Sequence, residues 1–182
     1  MKKKIIKAFI VLLVVIVLYF IFISVFIYPC KMEGMSMFPT TAPDEIKLTN
    51  RWKIITGQEL NRGDIILFEE PSVLYVSQEE FNPDDLLAKY DDHFNINPFR
   101  TRVLKRVVGV AGDHIQITEN NTLYINGENT GWANRSDYED YMYIDLIVPE
   151  NSVYVLGDNR GYSTDSRSFG CVPIDKVYSV LI

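Results

Sequence analysis

Histidine and cysteine are nearly absent from this chain, and each shortage excludes a chemistry. The 182 residues include two histidines, His93 and His114, and two cysteines, Cys30 and Cys171. Their spacing matches no metal-ligand set, and two cysteines make no disulfide framework, so a bridge between them has no support. Neither a metal nor another cofactor is expected. Basic residues are also scarce where a nucleic-acid binder needs them. Lys2, Lys3, Lys4 and Lys7 precede any acid, so the rest of the chain holds 14 basic against 24 acidic residues, a net charge of -10. Phosphate contacts need clustered Lys and Arg, and an acidic body argues against nucleic acid as a partner.

What the chain has instead is one long apolar run. From Ala8 to Tyr28 there is no charged residue. As a helix this stretch spans roughly 31 Å at 1.5 Å per residue, about one hydrocarbon core. A cleavable leader has a shorter apolar core and ends on small residues, and Tyr28-Pro29-Cys30-Lys31 offers no such pattern. The run therefore reads as a retained anchor. It implies a basic cytoplasmic tail over 1–7, a transmembrane helix over 8–28 with Tyr28 at the far interface, and a domain over 31–182 outside the cytoplasm. The lipid bilayer of the cell membrane is the first expected partner.

Beyond the anchor the pattern is β. Glu45–Leu48 alternates, Asn61-Arg62-Gly63-Asp64 reads as a turn, and Ile65–Phe68 is a continuous apolar strand. Residues 77–97 are crowded with acid and read as a solvated insertion, with Asn82-Pro83 starting a short helix. Arg102–Val110 is a strand whose alternation places Lys105 on one face with Val103 and Val107. Ile115–Thr118 and Leu123–Ile125 form a hairpin across Glu119-Asn120-Asn121, and Asn126-Gly127 is a second tight turn. Glu128 to Asp140 reads as a polar loop, and Val153–Leu156 as a late core strand. The expected fold is mostly β, an antiparallel domain behind one N-terminal transmembrane helix.

Chemistry centres on Glu33-Gly34-Met35-Ser36-Met37-Phe38-Pro39-Thr40, just past the apolar run. Taken alone, Ser36 reads first as a turn residue, the usual place of a serine in a loop with glycine and proline. A serine hydroxyl is a poor nucleophile until a base takes its proton. His93 lies in the acidic insertion and His114 after a turn, and neither has a context that recommends it. A neutral lysine can do the same work. Lys105 has two readings: a stem that snorkels to water, or a desolvated amine with a lowered pKa.

Four stretches then resemble the membrane-bound type I signal peptidases, which use a Ser-Lys dyad. They are Gly34-x-Ser36-Met37-x-Pro39-Thr40, Gly63-Asp64-Ile65-Ile66-x-Phe68, Lys105-Arg106-Val107-Val108-Gly109-x-x-Gly112-Asp113, and Gly157-Asp158-Asn159-Arg160-x-x-Ser163-x-Asp165-Ser166-Arg167. The resemblance implies Ser36 as nucleophile, Lys105 as general base and Ser163 as the hydroxyl that orients the amine. It implies a bracing ion pair between Asp165 and Arg167, with supporting charges at Asp158 and Arg106. The Ser36 backbone N–H would be one oxyanion donor, and Gly34 stands where some members carry a hydroxyl donor. Alanine at 111 replaces a frequent proline, and Gly161-Tyr162 a common Asp-Asn pair.

The resemblance further implies removal of N-terminal signal peptides from exported preproteins, and dealings with the export machinery. It implies an apolar surface against the bilayer, to which Met35, Met37 and Phe38 would belong. Two rivals stand beside this reading: a specialised Ser-Lys processing protease, and a non-catalytic assembly factor for pilus or secreted components. Retention of Ser36, Lys105 and Ser163 together argues against the second.

Overall fold

The structure is a computed structural model describing residues 2–32, 34–69, 102–118, 122–133 and 143–182. The acidic insertion, its expected Asn82-Pro83 helix and His93 lie outside the described residues. The apolar run forms helix α1, Lys2–Phe26, in which the window from Lys3 is long and apolar enough to cross a membrane and is not buried against the body. It stops two residues before Tyr28. Ile27–Lys31 instead forms strand β1, paired antiparallel with β2, Ile46–Asn50. Pro29 and Cys30 sit in that edge strand, where a missing proline N–H is tolerated.

The body consists of two antiparallel sheets. The larger contains β1, β2, β3 (Ile65–Glu69), β4 (Arg102–Val110), β9 (Ser152–Leu156), β10 (Val172–Pro173) and β11 (Val177–Leu181). Its order is β1-β2-β11-β3-β4-β9-β10, so β4 lies between β3 and β9 near the centre. The smaller sheet has the order β7-β6-β5-β8, from β5 (His114–Ile117), β6 (Thr122–Ile125), β7 (Glu128–Ala133) and β8 (Ile144–Ile147).

The core follows the alternation of the strands. Ile66, Phe68, Val107, Val153 and Val155 lie on one side of the large sheet and pack with Val172, Val177 and Phe169. Tyr154 and Leu156 point to the other side and pack with Ile115, Ile117, Leu123 and Ile125 of the small sheet. Ile65, Leu67 and Leu104 form a third cluster with Met32 and Met37. Gly109 lets the sheets approach closely: an added Cβ would meet Ile115 Cδ1 at 2.6 Å and Val148 Cγ2 at 3.2 Å.

The expected β5–β6 hairpin forms, with Ile115 opposite Ile125 and Ile117 opposite Leu123. The reading of Glu128 onward as loop is corrected over its first part, because β7 pairs with β6. Asn126 and Gly127, at φ 54° and 80°, turn the chain straight back into this strand. Its first residues, Glu128, Asn129 and Thr130, are polar and lie on an edge strand, so composition hid the pairing. Both cysteines are free.

Candidate active site

Ser36 sits in a loop closed at its neck by backbone bonds. Met32 N–H donates to Glu45 O at 2.9 Å, and Asp44 N–H donates to Met32 O at 2.8 Å. Inside the loop Met37 turns into the core at 3% exposure, while Met35 and Phe38 remain nearly half exposed. Met37 therefore anchors the loop to the protein, which corrects its expected place on the exposed apolar surface. The buried methionine and the closed neck fix where the serine stands.

Lys105 arrives from the middle of the large sheet, opposite Ile66 of β3. Burial leaves it 3% exposed, and its Nζ lies 3.0 Å from Ser36 Oγ. Two residues 69 apart in sequence thus meet as a half-buried hydroxyl and a buried amine. The snorkelling alternative is removed by this burial. The Ser36 N–H takes no hydrogen-bond partner among the described residues, which leaves it available to an oxyanion.

The segment after β9 clamps the serine. Asn159 N–H donates to Ser36 O at 2.9 Å. Gly157 leaves room for it: a Cβ there would lie 2.6 Å from Ser36 O and overlap Ser163 Cβ and Oγ. Asp158 links the loop to β4. It accepts from Arg106 Nε at 2.8 Å and from the terminal Nη2 at 2.7 Å, and Thr40 Oγ1 donates to the same carboxylate. Burial alone would raise the Asp158 carboxyl, but the hydrogen bonds from Arg106 and Thr40 outweigh it and hold it below the usual range. Thr40 and Asn159 were within the quoted motifs but carried no expected role, because a threonine after proline and a backbone N–H show nothing of their partners in sequence.

Asp165 is the most buried carboxylate of the site. It accepts from Gly157 N–H at 2.9 Å and from Arg167 Nε at 2.8 Å, and it caps the one-turn helix Ser166–Phe169 through Arg167 N–H. Arg167 also donates to Arg160 O at 2.6 Å and Ser163 O at 3.2 Å, so one ion pair holds the whole return of the chain. Burial lowers the Arg167 guanidinium and the hydrogen bond to Asp165 more than restores it, leaving its affinity for the proton raised. Ser163 is near Ser36, against Gly157, but its buried Oγ has no hydrogen-bond partner among the described residues. In this conformation it does not hold the Lys105 amine. Gly34, at φ 89°, is exposed with open space around it and contributes no side-chain donor.

His114 stands apart on the small sheet, in contact with the Asp145 carboxylate. Among the described residues no cluster of His, Cys, Asp or Glu is arranged to hold a metal. The geometry is thus a hydroxyl, a buried amine and a free backbone N–H on a braced loop, parts that suit acyl transfer.

The family model described as "Signal peptidase, peptidase S26" matches residues 3–181. This chain belongs to that family. It is accordingly a serine endopeptidase of the kind that removes signal peptides. Signal peptidase IB of Staphylococcus aureus (strain COL) is 28% identical over 97% of this chain and 87% of its own length. A probable signal peptidase I-2 of Synechocystis (strain ATCC 27184 / PCC 6803 / Kazusa) is 33% identical over 53% of this chain and 41% of its own length. Among solved structures, a signal peptidase I from Enterococcus faecalis V583 shares 27% identity, covering 68% of this chain and 97% of that one, with a TM-score of 0.43.

Proposed function

We propose that the chain cleaves signal peptides from exported preproteins by a Ser36–Lys105 dyad, anchored by α1 with residues 31–182 on the outer face of the cytoplasmic membrane. The observation that carries the dyad is the 3.0 Å approach of a buried amine to Ser36 Oγ. Burial strips the hydration that an ammonium needs and favours the neutral amine, the form able to accept a proton.

In the first step Ser36 Oγ attacks the scissile carbonyl carbon while Lys105 Nζ takes the hydroxyl proton. The negative charge gathers on the carbonyl oxygen, where the Ser36 N–H receives it. The C–N bond then breaks as Lys105 returns the proton to the leaving amine, and the preprotein residue before the cut remains esterified to Ser36. Water attacks that ester, Lys105 takes its proton, and Ser36 recovers a hydrogen as the acid leaves. The Asp158–Arg106 and Asp165–Arg167 pairs hold the two loops around the reacting atoms and donate nothing to the substrate themselves.

Incubating the purified full chain with a radiolabelled preprotein tests the reading. Mature protein should appear with the natural chain and not with a folded Ser36→Ala variant; cleavage by the variant at the natural rate would refute it. Sidedness is tested separately. Protease added to intact protoplasts should digest the body, and protection until the membrane is opened would reverse the orientation.

A further inference from the structure

Where α1 ends, two arginines share one tyrosine. Arg51 N–H donates to Phe26 O at 2.9 Å, tying Arg51 to the final residue of the apolar helix. The Arg51 guanidinium carbon lies 4.4 Å from the Tyr178 ring centroid, and that of Arg102 lies 4.0 Å from the same centroid. Arg102 is also 5.7 Å from the Tyr28 ring, and the two tyrosines meet edge-on at 5.2 Å. Beside them Phe26 packs on Trp52 at 5.2 Å, and Trp52 is 46% exposed.

Among the described residues neither guanidinium forms an ion pair with a carboxylate, although 24 acidic residues are present in the chain. The Nε of Arg51 is buried and has no hydrogen-bond partner among the described residues. Two like charges gathered on one ring repel, and an anion between them removes that repulsion. Guanidinium forks match phosphate oxygens, and stacking on an aromatic face fixes the fork without consuming its N–H donors. Tyrosine and tryptophan favour the headgroup level of a bilayer.

We infer that Arg51 and Arg102, held by Tyr28 and Tyr178, form a site for the phosphate of an anionic phospholipid in the leaflet next to the body. A lipid is the occupant, because Arg51 is bonded to the end of the membrane-crossing helix and the exposed Trp52 continues the site toward the hydrocarbon. The inference rests on the reading of α1 as a bilayer anchor. It adds a chemical preference to that anchor, which a purely apolar helix lacks.

The full-length chain is reconstituted into phosphatidylcholine vesicles, with and without phosphatidylglycerol, and spin-labelled lipids report by electron paramagnetic resonance which headgroup the protein retains. Phosphatidylglycerol should be preferred. Arg51→Gln and Arg102→Gln should each reduce that preference about fivefold, the factor equivalent to ~1 kcal/mol per basic residue near an anionic surface. Arg102→Lys should keep only part of it, because an ammonium retains the charge but not the stacked fork. Because Arg102 is on the surface, its variants decide the question even if Arg51→Gln fails to fold. An unchanged preference in Arg102→Gln overturns the site, and so does full displacement of the labelled lipid by inorganic phosphate. Failure of the natural chain to float with pure phosphatidylcholine vesicles overturns the anchor reading, and the site falls with it. Hydrolysis of a short soluble peptide in neutral detergent should be the same for all these proteins.

Discussion

The large sheet carries ionisable side chains into and beside its interior, whereas the strand positions buried in the small sheet are hydrocarbon. Lys105 and Asp165 are buried within and beside β4 and β9, each against a partner that satisfies it. In the small sheet Ile115, Ile117, Leu123 and Ile125 fill the buried positions, and His114 and Asp145 face outward. The difference teaches that one sheet holds a reactive arrangement under constraint and the other supplies the hydrophobic mass against which it is held. Burying an ionisable group is costly unless it is hydrogen-bonded, so each of these groups is buried only where a hydrogen-bond partner meets it.

Breaking the large sheet's chemistry should have the greatest effect. Lys105→Ala and Lys105→Arg should each lower preprotein cleavage at least about 10³-fold, the arginine because it does not give up its proton near neutral pH. Activity of the natural chain should rise with pH into the alkaline range as the amine loses its proton. Folded Lys105→Ala at the natural rate would remove the lysine from the mechanism.

Next in size is Gly157→Ala, which drives a methyl against Ser36 O and Ser163. A displacement of the nucleophile by about 1 Å costs roughly 10²-fold in rate. The prediction is such a loss in kcat, with far-UV circular dichroism unchanged. A fully active Gly157→Ala would mean that the clamp is not what positions Ser36.

The Asp158 brace gives a pH-dependent effect. Its carboxyl is held below the unfolded value, so its stabilisation is present above the usual carboxylate pKa of ~3.9 and is lost as pH falls through the folded value. Asp158→Asn should therefore lower Tm at neutral pH, and the gap to the natural chain should narrow below about pH 4. A gap that stays constant down to pH 2 would show that the charge contributes nothing.

The small sheet supplies the contrast. Leu123→Ala should destabilise the protein by about 2–5 kcal/mol in denaturant titration while leaving the rate per folded molecule unchanged. His114→Ala should change cleavage least, by no more than about twofold. A folded but inactive His114→Ala would erase the distinction between the sheets.

Much of this contrast was legible in sequence. The period-two pattern around Lys105 placed it with Val103 and Val107, and the apolar run of Ile65–Phe68 marked a strand buried on both faces. Local signals were enough there because burial acts directly on which residues a strand can carry. They failed where pairing is decided at a distance. Ile27 and Tyr28 still belong to the apolar run, and only the register of Ile27–Lys31 with Ile46–Asn50 makes the segment a strand. Val177–Leu181 becomes central by inserting between β2 and β3, which no local pattern reports. The site divides in the same way. The motifs carried Ser36, Lys105, Asp165 and Arg167, but the Thr40–Asp158 contact and the Asn159 clamp depend on loops that meet only when folded.

The short strand that follows α1 acts as a spacer of fixed length. Five residues, Ile27–Lys31, separate the helix from the neck of the Ser36 loop, and they are stiffened by pairing along their whole length with β2. At roughly 3.3 Å per residue they reach no more than about 17 Å. An enzyme tethered by a floppy linker searches a hemisphere, but one set on a rigid stalk searches a plane. With α1 in the bilayer and Ser36 as the nucleophile, as proposed, peptide bonds presented in that thin layer above the lipid would meet the serine at high effective concentration, and bonds farther out in the same preprotein would stay beyond its reach.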